Sequence, residues 1–270
     1  MQLKCVKGDS LRRVTQTKLY FAQMKSKAEF GFLQPPSSST TKKRNRPKVR
    51  GRRLSYEGVS SLPDCVTYEP AFLPPSHSEQ LMKELMEVIP FRQEEIKIFG
   101  KLVKEPRLCA WYGGAYKYSG RALKENPLDS VPQLASLRDR ISRKLDLDLN
   151  SVLINLYRDG SDYIGWHSDD ERELGPSKDD IVVASLSLGA ARDFRLKRKD
   201  GAGNPISITL ESGSLLIMRG ETQKLWKHMV PKTKNVQQPR INLTFRFLHQ
   251  VSTGSPTPKD GQTKRAIVRT

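Results

Sequence analysis

Apolar positions are spread unevenly along the 270 residues of the chain. Ser78 precedes Leu81, Met82, Leu85, Met86 and Ile89, which fall on one face of a helical period. Ser130 stands in the same way before Leu134, Leu137, Ile141 and Leu145, so each serine marks the start of a predicted amphipathic helix. The period then changes to two. Residues 152–157, 181–188, 194–197, 206–210, 215–218 and 241–248 predict strands, separated by turn signals at 158–160, 200–205 and 212–213. Two early helices followed by many short strands predict an α+β chain that is mainly β, a sheet sandwich or jelly-roll barrel with helices packed outside.

Outside 61–250 the pattern disappears. Residues 31–53 run from prolines and serines into a basic cluster at 42–53 with almost no large apolar side chains. Such a stretch cannot bury enough surface to offset its ordering entropy. Residues 1–60 are therefore expected to form a disordered basic tail with an import-like cluster, and 251–270 a second one. The expected location is the nucleus, although residues 1–30 are also basic and acid-poor, as transit peptides are. The hexapeptide Gln16 to Phe21 resembles a sliding-clamp-binding peptide with its aromatic pair one residue early.

Charge sharpens this division. The formal net charge is +18, but Lys and Arg outnumber Asp and Glu 15 to 2 in residues 1–53, 4 to 1 in 251–270, and only 28 to 26 in between. The tails thus suggest a polyanionic partner, and the middle is left nearly neutral. The longest clean apolar run, Leu215 to Met218, falls far short of the roughly 18 residues of a membrane span. Three cysteines without a Cys-x-x-Cys pair argue for a reduced compartment. No membrane partner is expected, and the chain is expected to be a monomer.

Candidate chemistry begins at His167-Ser168-Asp169. Two residues apart on a strand, imidazole and carboxylate share a face, and His228 near another strand end would complete two His and one carboxylate. That set, with open positions opposite, is the facial arrangement of non-haem Fe(II) oxygenases. The last strand alternates strictly, with Arg240, Asn242, Thr244 and Arg246 on one face and apolar residues on the other. Buried arginines need an anion, and a dicarboxylate suits their planar forks. The alternative is that this face is simply solvated. Asn155 and Tyr157 share one face of an earlier strand and would add two hydrogen bonds.

Asn155-Leu156-Tyr157, the 165–171 run Gly-Trp-His-Ser-Asp-Asp-Glu, the 185–190 run Ser-Leu-Ser-Leu-Gly-Ala, His228 and the 240–246 run together resemble the AlkB family of Fe(II)- and 2-oxoglutarate-dependent dioxygenases. The resemblance covers about residues 64–248 and is closest to the homologues that repair alkylated DNA. It implies a double-stranded β-helix core, Fe(II) held by His167, Asp169 and His228, and 2-oxoglutarate held by Asn155, Tyr157, Arg240, Asn242, Thr244 and Arg246. Arg240 would anchor the distal carboxylate. Six residues of strand span about 20 Å, so Arg240 and Arg246 reach one small ligand only through long side chains and a bent strand. Dioxygen is the second co-substrate, and an N-methyl base would be hydroxylated and lose formaldehyde.

Substrate recognition is expected at about 95–125. Lys97-Ile98-Phe99-Gly100-Lys101, read as following directly on a helix, resembles the Phe-Gly-Lys finger of duplex-preferring homologues; Phe99 is either a wedge or a core residue. The 106–113 stretch, with Arg107, resembles the single-strand-preferring homologue instead. Tyr116 and Tyr118 would stack on a flipped base or pack on a sheet. Asp170 and Glu171 would contact a methylated, cationic ring. Three functions remain open on these residues: a demethylase of alkylated DNA, the same chemistry on RNA, and a nucleic-acid-binding module without turnover. The complete set of iron ligands argues against the third.

Overall fold

The computed structural model describes residues 62–98, 101–118 and 121–249. Gln16 to Phe21, the basic cluster at 42–53, the tail at 251–270, and Phe99 and Gly100 lie outside the described residues.

The chain enters through β1 (Val66–Glu69) and helix α1 (Pro75–Val88), then forms a hairpin of β2 (Glu95–Ile98) and β3 (Lys101–Lys104). Strand β4 (Leu108–Tyr112) and a second hairpin, β5 (Tyr116–Tyr118) with β6 (Arg121–Leu123), precede helix α2 (Pro132–Leu145). The barrel strands follow: β7 (Ser151–Tyr157), β8 (Ile164–His167), β9 (Val183–Gly189), β10 (Arg192–Arg198), β11 (Ile206–Leu210) and β12 (Leu215–Met218). A single helical turn, α3 (Thr222–Leu225), leads into β13 (Trp226–Val230) and β14 (Arg240–Arg246).

The first helix begins three residues before its serine, and the second two residues after its own. Pro75 and Pro132 occupy the first helical turn, where a missing N–H costs nothing. Ser78 lies inside α1 and its hydroxyl donates back to Pro75 O; Ser130 sits in a 3-10 turn ahead of α2 and bonds Pro127 O. The predicted strands at 206–210 and 215–218 coincide with β11 and β12, whereas β9 starts at Val183 and β14 ends at Arg246. The 97–101 segment does not follow a helix directly. It joins two strands of a hairpin, well past the end of α1 at Val88.

Six strands form one sheet in the order β1-β12-β9-β14-β7-β4 and four form a second, β11-β10-β13-β8, all paired antiparallel. This is the jelly-roll arrangement. A single apolar cluster joins Leu153, Tyr157, Leu216 and Met218 of the larger sheet to Phe194, Leu196, Ile208 and Val230 of the smaller, so the core lies between them. On its other face the larger sheet is apolar, and α1 packs against β9 there. Ile241, Leu243 and Phe245 of β14 are fully buried on that face, each contributing about 1.5–3 kcal/mol by leaving water. Gly189 ends β9 at φ +85°, where a Cβ would lie 2.5 Å from Pro239 O, so only glycine makes this corner.

The inward face of β14 is not solvated. Arg240, Asn242, Thr244 and Arg246 are 1–8% exposed, so polar side chains are buried there and need partners. No described helix is long and apolar enough to cross a membrane.

Candidate active site

Strands β8 and β13 lie side by side with His167 opposite His228. Directly opposed residues on antiparallel strands project from the same face, and the two imidazoles meet edge to face with centroids 4.2 Å apart. Asp169 comes from the turn after β8. Its Oδ1 lies 3.7 Å from His167 Nε2 and its Oδ2 lies 3.9 Å from His228 Nε2. One ligand atom from each residue lies within 4.8 Å of the others.

Protonation suits this cluster to a metal. His167 Nδ1 lies 2.8 Å from Gly165 O; it carries the proton, and Nε2 offers its lone pair to the shared centre. Burial, reinforced by His167, pushes His228 down to about 3, and burial lowers His167 too. Both are neutral, as a metal requires. Burial would raise the Asp169 carboxyl, but Arg246, His228 and His167 outweigh it and hold the group well below the usual carboxylate range. Two neutral imidazoles and one carboxylate on one face fit Fe(II) with open positions opposite.

The larger sheet supplies the rest by register. Arg240 stands opposite Tyr157 and Gly189, Asn242 opposite Asn155 and Ser187, and Thr244 opposite Leu153 and Ser185. Arg240 Nη2 donates to Ser187 Oγ at 2.9 Å, while its buried Nε and Nη1 have no hydrogen-bond partner. Burial pushes this guanidinium down to about 10. Tyr157 has two guanidiniums near its ring, Arg240 at 5.2 Å and Arg192 at 5.5 Å from the centroid. Arg192 is itself fixed by the main-chain oxygens of Asp159, Asp162 and Pro231. Arg246 Nη2 instead sits 3.1 Å from Asp169 Oδ2.

Apart from Gly189, Ser187 and Arg192, which stand behind it, these residues line one cleft. Its buried charges are two guanidiniums and one carboxylate, with Arg240 at one end of β14 and Arg246 at the other. A dication beside Asp169 and a dianion between the arginines leave that balance unchanged and give Arg240 the acceptors it lacks. The residues present fit Fe(II) and 2-oxoglutarate.

Residues 65–246 match the 2OG-Fe(II) oxygenase superfamily model. Alpha-ketoglutarate-dependent dioxygenase alkB homolog 3 of Homo sapiens is 35% identical over 243 residues, which is 86% of this chain and 82% of the relative. The chain belongs to the AlkB family of Fe(II)- and 2-oxoglutarate-dependent dioxygenases. DNA oxidative demethylase ALKBH2 of Homo sapiens is 42% identical to this AlkB-family chain over 161 residues, 56% of the chain and 60% of the relative. A solved structure, of OsALKBH1, is 19% identical with a TM-score of 0.47, covering 69% of this chain and all of that one.

Within this AlkB-family enzyme the iron set and all six residues expected at 2-oxoglutarate meet in one cleft. Asn242 and Thr244, however, direct hydrogen bonds to the protein. Asn242 Nδ2 donates to Ser185 Oγ and Leu186 O, and Thr244 Oγ1 donates to Asn242 Oδ1. Arg107 is 3% exposed, and its Nε donates to Asn155 Oδ1 at 2.8 Å while Nη2 pairs with Glu105 at 3.3 Å. It stands behind the co-substrate residues. Lys101 is exposed on β3, Tyr116 and Tyr118 lie two apart on β5, and Glu171 is half-buried. Asp170 is exposed and paired with Lys178 at 2.6 Å and Lys199 at 3.7 Å.

Several residues in and behind the cleft had no role assigned from the sequence. Ser185 and Ser187 receive the β14 donors, and their alternation with Leu186 and Leu188 was a usable signal. Phe194 stacks on His228 at 5.3 Å. Gln223, fully buried in α3, accepts a hydrogen bond from the Asp169 main chain; a one-turn helix leaves no periodic trace.

Proposed function

We propose that this dioxygenase removes N-alkyl groups such as those of 1-methyladenine and 3-methylcytosine from DNA in the nucleus. One observation carries the reading: an iron-type His-Asp-His face and an arginine with unpaired buried donors share one cleft, in a chain whose relatives include a DNA oxidative demethylase. The basic cluster at 42–53 supports the nuclear location, and exposed Lys101 and Lys104 on β3 support a phosphate-bearing substrate.

Bound Fe(II), with 2-oxoglutarate and dioxygen, supplies oxidation of an N-methyl C–H bond, coupled to conversion of 2-oxoglutarate to succinate and carbon dioxide. The chain supplies position. Arg240 and Tyr157 hold the far carboxylate, and Asn155 offers its amide N–H, because Arg107 already engages the amide oxygen. Arg246 neutralises Asp169 and keeps it anionic in a buried site. Leu153, Phe194, Met218 and Val230 form apolar walls that keep water from the reacting atoms. The hydroxylated methyl group leaves nitrogen as formaldehyde and restores the base.

The test is demethylation with Fe(II) and 2-oxoglutarate on oligonucleotides carrying 1-methyladenine or 3-methylcytosine, as duplex DNA, single-stranded DNA and RNA. Formaldehyde and repaired base from DNA are expected. Turnover confined to RNA would transfer the reading to RNA, and none from any substrate would overturn it.

A further inference from the structure

The metal face depends on a turn that no strand pairing holds. His167 ends β8, and Ser168 and Asp169 lie beyond it. Two hydrogen bonds fix this turn to the segment that begins with α3. The Asp169 N–H donates to Gln223 Oε1 at 2.9 Å, and Ser168 Oγ donates to Trp226 O at 2.9 Å. Gln223 is fully buried, and its Nε2 meets only the soft acceptor Met218 Sδ, at 3.9 Å.

The α3 turn is itself anchored on both sides. Thr222 Oγ1 donates to Cys65 O and Arg219 O, and Lys199 Nζ donates to Gln223 O at 2.8 Å. The Lys199 N–H donates to Leu225 O. Gln223 therefore links an anchored turn between the two sheets to the main chain of the acidic ligand, without touching metal or substrate.

We propose that Gln223 is a positioning residue which, with Ser168, clamps the turn carrying Asp169 and presets the spacing of the three iron ligands. This rests on the assignment of His167, Asp169 and His228 to the metal. Partners behind the ligands typically contribute 10- to 100-fold to metal affinity because they remove the freedom a ligand would lose on binding.

Mn(II), a dication that does not turn over, is titrated into the full chain, and free Mn(II) is followed by its electron paramagnetic resonance signal. Gln223→Met keeps the volume and removes the acceptor; it should weaken Mn(II) binding about tenfold. Gln223→Glu keeps an acceptor oxygen at the same reach and should bind at least as tightly as wild type. Equal losses in both variants would mean that the side chain only packs, and would overturn the clamp, as would a folded Met variant with wild-type affinity. Should the Met variant fail to fold, Ser168→Ala decides, since it deletes one hydroxyl at a half-buried position: a loss of about threefold supports the clamp and unchanged affinity overturns it. Failure of wild type to bind Mn(II) would be a different result, against the metal assignment itself.

Discussion

The two ends of the cleft are built differently. At the 2-oxoglutarate end, strands of the larger sheet place Arg240, Asn242 and Thr244 beside Tyr157, Asn155, Ser185 and Ser187 by register alone. Each side chain is set by two neighbouring strands, and a slip of one residue would turn the whole row to the other face. At the metal end one strand pair supplies two histidines, and the carboxylate hangs on a turn held by side-chain hydrogen bonds. Sheet register tolerates local change because many bonds share it. A turn held by two hydrogen bonds and the Asp169–Arg246 ion pair has fewer to share it.

Breaking the metal end should have the largest effect. Asp169→Asn keeps the shape but removes the one anionic ligand, and turnover should fall at least ~10³-fold, the factor that about 4 kcal/mol represents. Mn(II) added to wild type should raise Tm, because a ligand that binds only the folded state stabilises it. The same addition should leave the Asn variant's Tm where it was. Wild-type turnover in this variant would remove Asp169 from the iron set.

The other end should fail more gently. Arg240→Met leaves Ser187 room for another partner but removes the donors that await a carboxylate. Loss of about 2.8 kcal/mol of charge-assisted hydrogen bonding corresponds to a ~100-fold rise in the KM for 2-oxoglutarate. The KM for nucleic acid should stay within about twofold, since Arg240 is only 1% exposed. An unchanged KM for 2-oxoglutarate would assign the distal carboxylate elsewhere.

The same contrast explains what was legible in the sequence. Alternation is a property of strands, so the polar face of β14, the Asn155 and Tyr157 pair on β7 and the strands β11 and β12 could be read directly. The alternation could not say whether the polar face was wet or buried, because that depends on the sheet packed above it. Strands β1, β8 and β13 were not delimited, although His167 and His228 were placed on or near strands: β8 carries Gly165 and β13 carries Lys227, and at four or five residues all three are too short for a period to stand out. The helix starts were misplaced because Pro75 and Pro132 supply the first turn without a side-chain cap. Gln223 and Arg107 act through contacts between segments distant in sequence, for which a single sequence carries no pattern.

Arg107 gives the smallest effect and the most discriminating one. Its sequence context suggested a nucleic-acid contact, whereas in the fold its Nε bonds Asn155 and its Nη2 pairs with buried Glu105. Removing its charge would leave Glu105 uncompensated and risk the fold, so Arg107→Lys is the informative change: it keeps the charge but loses the planar fork that reaches both partners. If Arg107 acts through Asn155, Arg107→Lys and Asn155→Ala should each raise the KM for 2-oxoglutarate about fivefold to tenfold, and the double variant should be no worse than the Asn155 variant alone. That non-additivity is the signature of residues acting in series. Independent effects would multiply, to about 50-fold. A rise in the KM for the oligonucleotide instead, persisting in the Asn155→Ala background, would return Arg107 to the substrate and separate it from the co-substrate end of the cleft.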